Sequence, residues 1–335
     1  ISAGAIPWTP LKLYRLTRRS PQEATTGIET GSFDPLIGRS HFQVAMASRS
    51  QHRSQDMGTA QPMGPRRSTV ALMESRVSSE GPDEIFSGVD TSFVALAREL
   101  PPGVRREVVG HLDRYREAIS DAAAALDVAD PWRTAPPLGE ALASLREALS
   151  LLGDTEGTNS SEMGGAELKR SLLERMPLVQ EAVLRAAGVV IDVTLEKDLL
   201  VPGETVSGII ELWNGGPFSL ENASPWVRAP DGWGVRGELG ETRTAPSGSL
   251  GRWTFQVRVP EAAHVSAAYY LTSPRDGGLY DWPQDSKLWA TPANPDLVHG
   301  HLSFRLGEFG EIHVTRPARY RGLNKATGEF LRPAQ

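Results

Sequence analysis

Cysteine is absent from all 335 residues, so the chain can form no disulfide, no thiolate metal site and no cysteine nucleophile. Long apolar runs are missing as well. Every apolar stretch is broken well short of the ~18 residues that a membrane-spanning helix needs, and no signal-like apolar segment lies near Ile1. Charge of one sign is scarce: 35 Lys and Arg stand against 41 Asp and Glu, for a net charge of −6. The basic residues are scattered, with neither a stripe suited to nucleic acid nor a basic amphipathic helix suited to a membrane surface. No Gly-x-Ser-x-Gly elbow occurs and no histidine has a context that pairs it with a serine, which removes the support for serine catalysis. No Gly-x-Gly-x-x-Gly follows a strand and no Walker-type loop is present, which sets nucleotide chemistry aside. What remains is 39% hydrophobic and 23% charged residues, ordinary for a chain that folds into two or three domains.

The chain runs at once into an extended, Pro-broken segment, Ile6 to Tyr14, which reads as a core strand whose neighbours lie outside the chain. This is the expectation for a fragment or a processed product; a genuine N-terminal strand is the alternative. Arg18 to Gly31 is polar and without clear period, and Asp34-Pro35-Leu36-Ile37-Gly38-Arg39 is a turn. A helix is predicted over 40–55, with Ser40 as N-cap, Gln43 closing a capping box, and Phe42, Ala45, Met46 and Arg49 on one face. Ser68 to Met73 reads as a short buried strand, so residues 1–95 form one α/β piece.

Over 96–188 the period changes. Val108, Leu112, Tyr115, Ile119, Ala122 and Leu126 mark one amphipathic helix, and Leu138, Leu142, Leu145, Leu149 and Leu152 a second. Leu168, Leu172, Met176, Val179, Val183 and Ala187 mark a third, kinked at Pro177 and stopped at Gly188. Asp154 to Gly165 is a flexible connection. From 189 to 335 short alternating strands recur between Gly/Pro turns: 189–195, 206–213, around Trp226, 253–259, 266–271, 302–306 and 312–315. That rhythm predicts an antiparallel β-sandwich.

Three stretches carry a family resemblance. The first is Thr30-Gly31-Ser32-Phe33-Asp34-Pro35-Leu36-Ile37-Gly38-Arg39-Ser40 with Ser48-Arg49-Ser50-Gln51-His52-Arg53-Ser54-Gln55-Asp56-Met57-Gly58. The second is Tyr270-Leu271 with Pro274-Arg275-Asp276-Gly277-Gly278-Leu279-Tyr280-Asp281-Trp282-Pro283. The third is Arg316-Pro317-Ala318-Arg319-Tyr320-Arg321 with Gly328-Glu329. Together they resemble the long bacterial members of the PIG-L/LmbE-like zinc-dependent N-deacetylases, with the His-Arg-Ser-Gln run the most specific match. The resemblance implies a multi-domain α+β chain. Residues 1–95 would be the C-terminal remnant of a Rossmann-like α/β deacetylase domain, 96–188 a helical connector and 189–335 an Ig-like β-sandwich. It implies a parent that hydrolyses an N-acetyl group on an N-acetylglucosamine-type conjugate. Zinc would lower the pKa of a bound water, and an aspartate would take its proton. In that family a His-Pro-Asp-Asp motif supplies two zinc ligands and the base, and a later histidine completes the site. No His-Pro-Asp occurs here. The chain is therefore expected to hold no zinc and to be inactive alone, its partner being the missing N-terminal catalytic half. Long family members are often exported, which implies an extracytoplasmic parent.

The candidate site residues follow. Arg39, His52, Arg53 and Gln55 could face an anionic or sugar-bearing substrate; equally, His52 and Gln55, three apart on one helical face, could tie the helix end to neighbouring loops. Arg39 and Arg49 read as well as solvated flanking charges. His299 and His301 share one face of a strand and could offer two imidazoles to a metal, with His313 the nearest third, but no carboxylate stands at a recognisable spacing. Six of the eight tryptophans lie in the β region, where aromatic faces stack on sugars or fill cores. Trp213 and Trp253, within alternating strands, read as core. Trp282, with Tyr280 beside it, is the candidate glycan contact. A non-enzymatic carbohydrate-binding or interaction module is thus the competing reading.

Overall fold

The computed structural model describes residues 10–78, 84–98, 100–153, 160–283, 288–289 and 291–335, with side chains 160–164 excepted. The chain divides into two compact units, residues 1–95 and 96–335. Residues 6–9 of the expected opening strand and 154–159 of the expected 154–165 connection lie outside the described residues, and 160–165 are helical rather than a flexible connection.

In the first unit the opening strand is β1 (Lys12–Leu16), which is not the expected core strand with its neighbours outside the chain: it lies at a sheet edge, buries no residue and pairs with residues 70–75. It is followed by β2 (Thr26–Glu29), which lies within the stretch expected to be irregular. The two-residue strands β3 (Phe33–Asp34) and β4 (Arg39–Ser40) pair across the expected turn. Asp34 closes that turn by accepting from Leu36 N at 2.8 Å and Gly38 N at 3.0 Å, and Gly38 takes φ +64°, a left-handed backbone that glycine adopts without a Cβ penalty. Helix α1 (His41–Arg49) starts at Ser40 with the full capping box. Gln43 N donates to Ser40 Oγ at 3.2 Å and Ser40 N donates to Gln43 Oε1 at 3.0 Å. The helix ends at Arg49, six residues before the expected 55. Ser50 stops it: its hydroxyl donates to Met46 O at 2.9 Å and accepts Thr59 N at 3.2 Å. Strand β5 (Arg67–Ser75) is the centre of a three-stranded sheet ordered β1-β5-β2, antiparallel throughout. Among the described residues of this unit, the buried hydrophobic side chains are Val70 and Ala71.

The second unit begins in α2 (Phe93–Ala97), which spans the division, and continues through α3 (Pro102–Ala124), α4 (Ala135–Leu152) and α5 (Ser160–Ala186). Helix α4 packs between the other two. Its inner face is Ala141, Leu142, Ser144, Leu145, Ala148 and Leu152, against Val108, Leu112, Ala118 and Ala122 of α3 and Leu168, Leu172, Val179 and Val183 of α5. Leu126, expected on the inner face of α3, lies beyond its end and is exposed. The expected kink at Pro177 does not interrupt α5. Leu173 and Leu178 are exposed around it, so water can reach the carbonyl that proline leaves unbonded. Gly188, at φ +69°, reverses the chain after α5, as a C′ glycine does.

The β region begins with β6 (Val189–Leu195), β7 (Thr205–Asn214), β8 (Leu220–Arg228), β9 (Gly234–Gly237), β10 (Arg243–Ala245) and β11 (Ser249–Arg258), and ends with β12 (His299–Leu306), β13 (Glu311–Pro317), β14 (Arg319–Asn324) and β15 (Gly328–Pro333). They form a six-stranded sheet, β15-β14-β6-β7-β11-β9, and a four-stranded sheet, β10-β8-β12-β13. All pairings are antiparallel except β14 with β6. The inner faces meet: a Cβ on Gly300 of β12 would lie 2.6 Å from Val193 and 3.3 Å from Ile210 of the other sheet. Trp253, Phe255 and Phe304 are the largest side chains buried between them.

Helices and sheets belong to one unit because they interlock. A Cβ on Gly139 of α4 would meet the Phe309 ring at 2.6 Å. Gln180 of α5 donates to His313 O at 2.6 Å, and Glu181 pairs with Arg316 at 2.6 Å. Burial opposes ionisation of Glu181, yet hydrogen bonds and charge from Arg185 and Arg316 outweigh it and hold the carboxyl below its usual range.

Candidate functional site

The residues singled out by the family resemblance sit where α1 gives way to loop. His52 precedes a 3-10 turn, Arg53–Gln55, and Asp56 at φ 51° closes it. His52 and Gln55 are therefore not neighbours on a helical face, and the tie between helix end and loop is Ser50, a residue that sequence periodicity did not single out. Arg39, His52, Arg53 and Gln55 are all exposed. No side-chain hydrogen bond or ion pair holds any of them among the described residues, so their polar groups are free for a ligand. Arg49 is exposed at the last turn of α1.

The second candidate lies in the excursion between β11 and β12. The strand expected at 266–271 is not formed; residues 269–271 make a 3-10 turn instead. Buried Tyr269 and the amide of Asn294 hold the excursion. Tyr269 N donates to Asn294 Oδ1 at 2.8 Å, Asn294 Nδ2 donates to Ala267 O at 2.7 Å, and the Tyr269 hydroxyl donates to Thr291 O at 2.9 Å. Asp276 and Leu279 exchange backbone hydrogen bonds across Gly277-Gly278, with Gly277 at φ +58°. This tight turn presents Tyr280 and Trp282, which are 42% and 58% exposed. Tyr280 lies edge-on to Tyr270 at 5.9 Å, with the Arg275 guanidinium 5.8 Å from its ring centre. Trp282 stands 6.2 Å from Trp289, whose Nε1 donates to Pro283 O at 2.7 Å. Trp289 and Tyr270 complete a half-exposed aromatic cluster that the sequence reading had reduced to Trp282 and Tyr280.

The tryptophans expected in the core divide. Trp253 is fully buried, whereas Trp213 is 44% exposed, because Leu212 and Asn214 take the inward positions of β7. In register with Trp213 stand Val190 and Leu250, both exposed.

His299 and His301 do share the outward face of β12, as alternation requires. His301 is opposite Trp226 of β8, and the two rings stack with centroids 3.6 Å apart and planes 5° from parallel. Thr315 Oγ1 lies 2.8 Å from His301 Nδ1, while His301 Nε2 has no partner. His313 is on the neighbouring strand beside Glu311. Among the described residues no three His, Asp or Glu side chains converge on a point that could hold a metal.

Burial first, then the charge of Arg228 and the nearby His299, hold the His301 imidazole down to about pKa 4. Burial and Arg228 lower His299 in the same direction, against Asp296. Because the folded pKa of His301 lies below the ordinary 6.5, its contribution to stability is full above about pH 6.5 and is lost as pH falls through about 4, where the unfolded chain binds the proton first. Solvent screening of a partly exposed ring limits the effect to roughly 1 kcal/mol. A His301→Gln variant should therefore lose less of its melting temperature than the parent between pH 6.5 and 4; parallel curves would refute the assignment.

No family model matches the chain, and no curated protein matches it. Among solved structures it is similar to a FixG-related protein from Vibrio parahaemolyticus at 9% identity and TM-score 0.22, over 43% of this chain and 95% of that one. It is similar to the secreted serine protease VesC from Vibrio cholerae at 9% identity and TM-score 0.26, over 45% and 27%. A third similarity is to Spo0M, a sporulation control protein from Bacillus subtilis, at 14% identity and TM-score 0.17, over 38% and 47%. At these scores none of the three bears on what the chain does.

Proposed function

We propose that this chain is the C-terminal part of a zinc-dependent N-acetyl hydrolase acting on an N-acetylglucosamine-type conjugate, inactive alone. In this reading residues 1–95 complete a Rossmann-like catalytic domain whose zinc-bearing half is a separate stretch of polypeptide. Arg39, His52, Arg53 and Gln55 form part of the rim of its substrate pocket, and residues 189–335 are an Ig-like domain that braces it. The observation that carries the reading is how little core the described residues of the first unit have. Against Val70 and Ala71 stand ten exposed large apolar side chains, Leu11, Leu13, Leu16, Phe33, Leu36, Ile37, Val44, Met63, Met73 and Phe86, at 41–92% exposure. A domain of this size ordinarily buries about 60% or more of its surface, so the unit needs a body to cover it. The family resemblance names that body.

The test is acetate release from an N-acetylglucosamine oligomer. The chain alone should release none; joined to the coding sequence in frame before Ile1 it should release acetate, and loss of zinc should abolish that activity. In the joined enzyme Arg53→Ala should raise KM several-fold with kcat little changed, the signature of lost ground-state binding. Acetate release by the chain alone, or none from a folded, zinc-loaded joined protein, would overturn the reading.

A second reading rests on a different observation, the half-exposed Tyr270, Tyr280, Trp282 and Trp289. Such flat faces suit sugar rings, so the β region could be a glycan-binding module in its own right. Saturable binding of a neutral oligosaccharide, weakened about tenfold or more by Trp282→Ala, is the expected result; unchanged affinity in that variant removes the reading.

A further inference from the structure

We propose that the outer face of the four-stranded sheet at Trp226, Arg228, His299 and His301 is a binding site for an acidic sugar, a pyranose bearing one carboxylate. This site is separate from the Trp282 cluster and does not rest on the deacetylase reading.

The register of β8 and β12 sets His301 opposite Trp226 and His299 opposite Arg228, so the four side chains form a two-by-two array on one face. The His301 imidazole stacks on one face of the Trp226 indole and holds it in place, and Trp226 remains 49% exposed. Arg228 supplies the charge. Arg228 is exposed and pairs with no carboxylate among the described residues. From Arg228 a cavity of about 380 Å³ opens, lined by Tyr269, Thr272, Asn294 and Asp296 among others; ligand sites run from roughly 300 to 1,000 Å³.

Each part has a counterpart in an acidic pyranose. The guanidinium fork matches a carboxylate in bidentate geometry. The indole takes the apolar face of a ring. The Asp296 carboxylate can accept hydrogen bonds from ring hydroxyls. Asp296 also sets a limit: one negative charge on the ligand is offset by Arg228, and a second beside Asp296 is repelled.

The array has a pH signature. The groups around the two imidazoles are Arg228 and Trp226 from β8, Asp296 before β12, and Thr315 from β13; His313 and Glu311 stand further along β13. In the free protein burial first, and then the charge of Arg228, disfavours protonation of both rings. A bound carboxylate opposes the Arg228 part of that bias, so binding takes up protons, and affinity rises as pH falls from 7 to 5 while the sugar acid stays ionised.

The experiment is calorimetric titration of the whole chain, at low salt, with the methyl glycoside of galacturonic acid, which carries one carboxylate, and with its methyl ester, which keeps the ring and removes the charge. The acid should bind about tenfold or more tightly than the ester, and more tightly at pH 5 than at pH 7, while the ester shows no pH dependence. Arg228→Met should bring the acid to the level of the ester, Arg228→Lys should restore part of the difference, and Trp226→Ala should weaken both ligands. Trp282→Ala should change neither, which separates this site from the aromatic cluster. All four residues are partly or fully exposed, so equal melting temperatures provide the folding control. Equal binding of acid and ester, no binding of the acid at millimolar concentration, or an unchanged Arg228→Met variant would each overturn the proposal.

Discussion

Hydrogen exchange of the intact chain is expected to divide it near residue 95. In the first unit the amides of β1, β2 and β5 should exchange through openings of only a few kcal/mol, whereas those of β7 and β11 should exchange only when the second unit unfolds as a whole. With a global stability of 5–15 kcal/mol, that is a difference of roughly 10³-fold or more in protection. The physical reason is burial. Strand β5 is the central strand of its sheet, yet it buries only Val70 and Ala71, and β1 leaves Leu13 and Leu16 more than half exposed. A three-stranded sheet without an apolar cover is marginal in water. By contrast, β7 runs antiparallel to β11 over ten residues, from Asn214 opposite Ser249 to Thr205 opposite Arg258, with Trp253, Phe255 and Ile210 fully or almost fully buried. Equal protection in the two units would show that residues 1–95 need no covering body and would remove the main support for the deacetylase reading.

The largest effect of a single substitution should be that of Trp253→Ala. The side chain is fully buried between the two sheets, and its ring lies so close to Gly251 that a Cβ there would stand 3.0 Å from it. Truncation leaves a cavity that rigid strands cannot close, at a cost of about 3–5 kcal/mol. Trp253→Phe should cost much less than Trp253→Ala. Phenylalanine keeps most of the apolar contact and deletes the indole N–H, which is buried without an acceptor and therefore lowers stability as it stands. Urea titration of the two variants checks both claims. A loss below about 1 kcal/mol for Trp253→Ala would mean that the sheets do not pack on this residue.

Where the sequence could be read, the reason was local. The cap of α1 is a contact between Ser40 and Gln43, three residues apart, and the stop of α5 is the backbone of Gly188; each depends on its immediate neighbours. The helix stripes of α3, α4 and α5 follow from period alone. The end of α1 was missed because Ser50 reaches across to Thr59, and no periodicity encodes that bond. Trp213 and Trp253 look alike in sequence, both in alternating runs, and only strand parity separates them: Leu212 and Asn214 face inward, so Trp213 cannot. The stretch Ser266 to Leu271 resembles a strand, but its backbone is held by the side chain of Asn294, a partner that lies beyond the segment. The common face of His299 and His301 was legible from alternation. The Trp226 stack and the open Arg228 were not, because they depend on the pairing of β8 with β12, strands separated by the whole 229–298 excursion.

The central claim is that the zinc-bearing half of a deacetylase lies in the coding sequence ahead of Ile1, and the most direct measurement is to read that sequence in frame. The account predicts a His-Pro-Asp-Asp motif followed by a later zinc histidine. An initiation codon close to Ile1 with no such motif would contradict it, and the sugar-binding surfaces of the β region would then become the leading account of what this chain does.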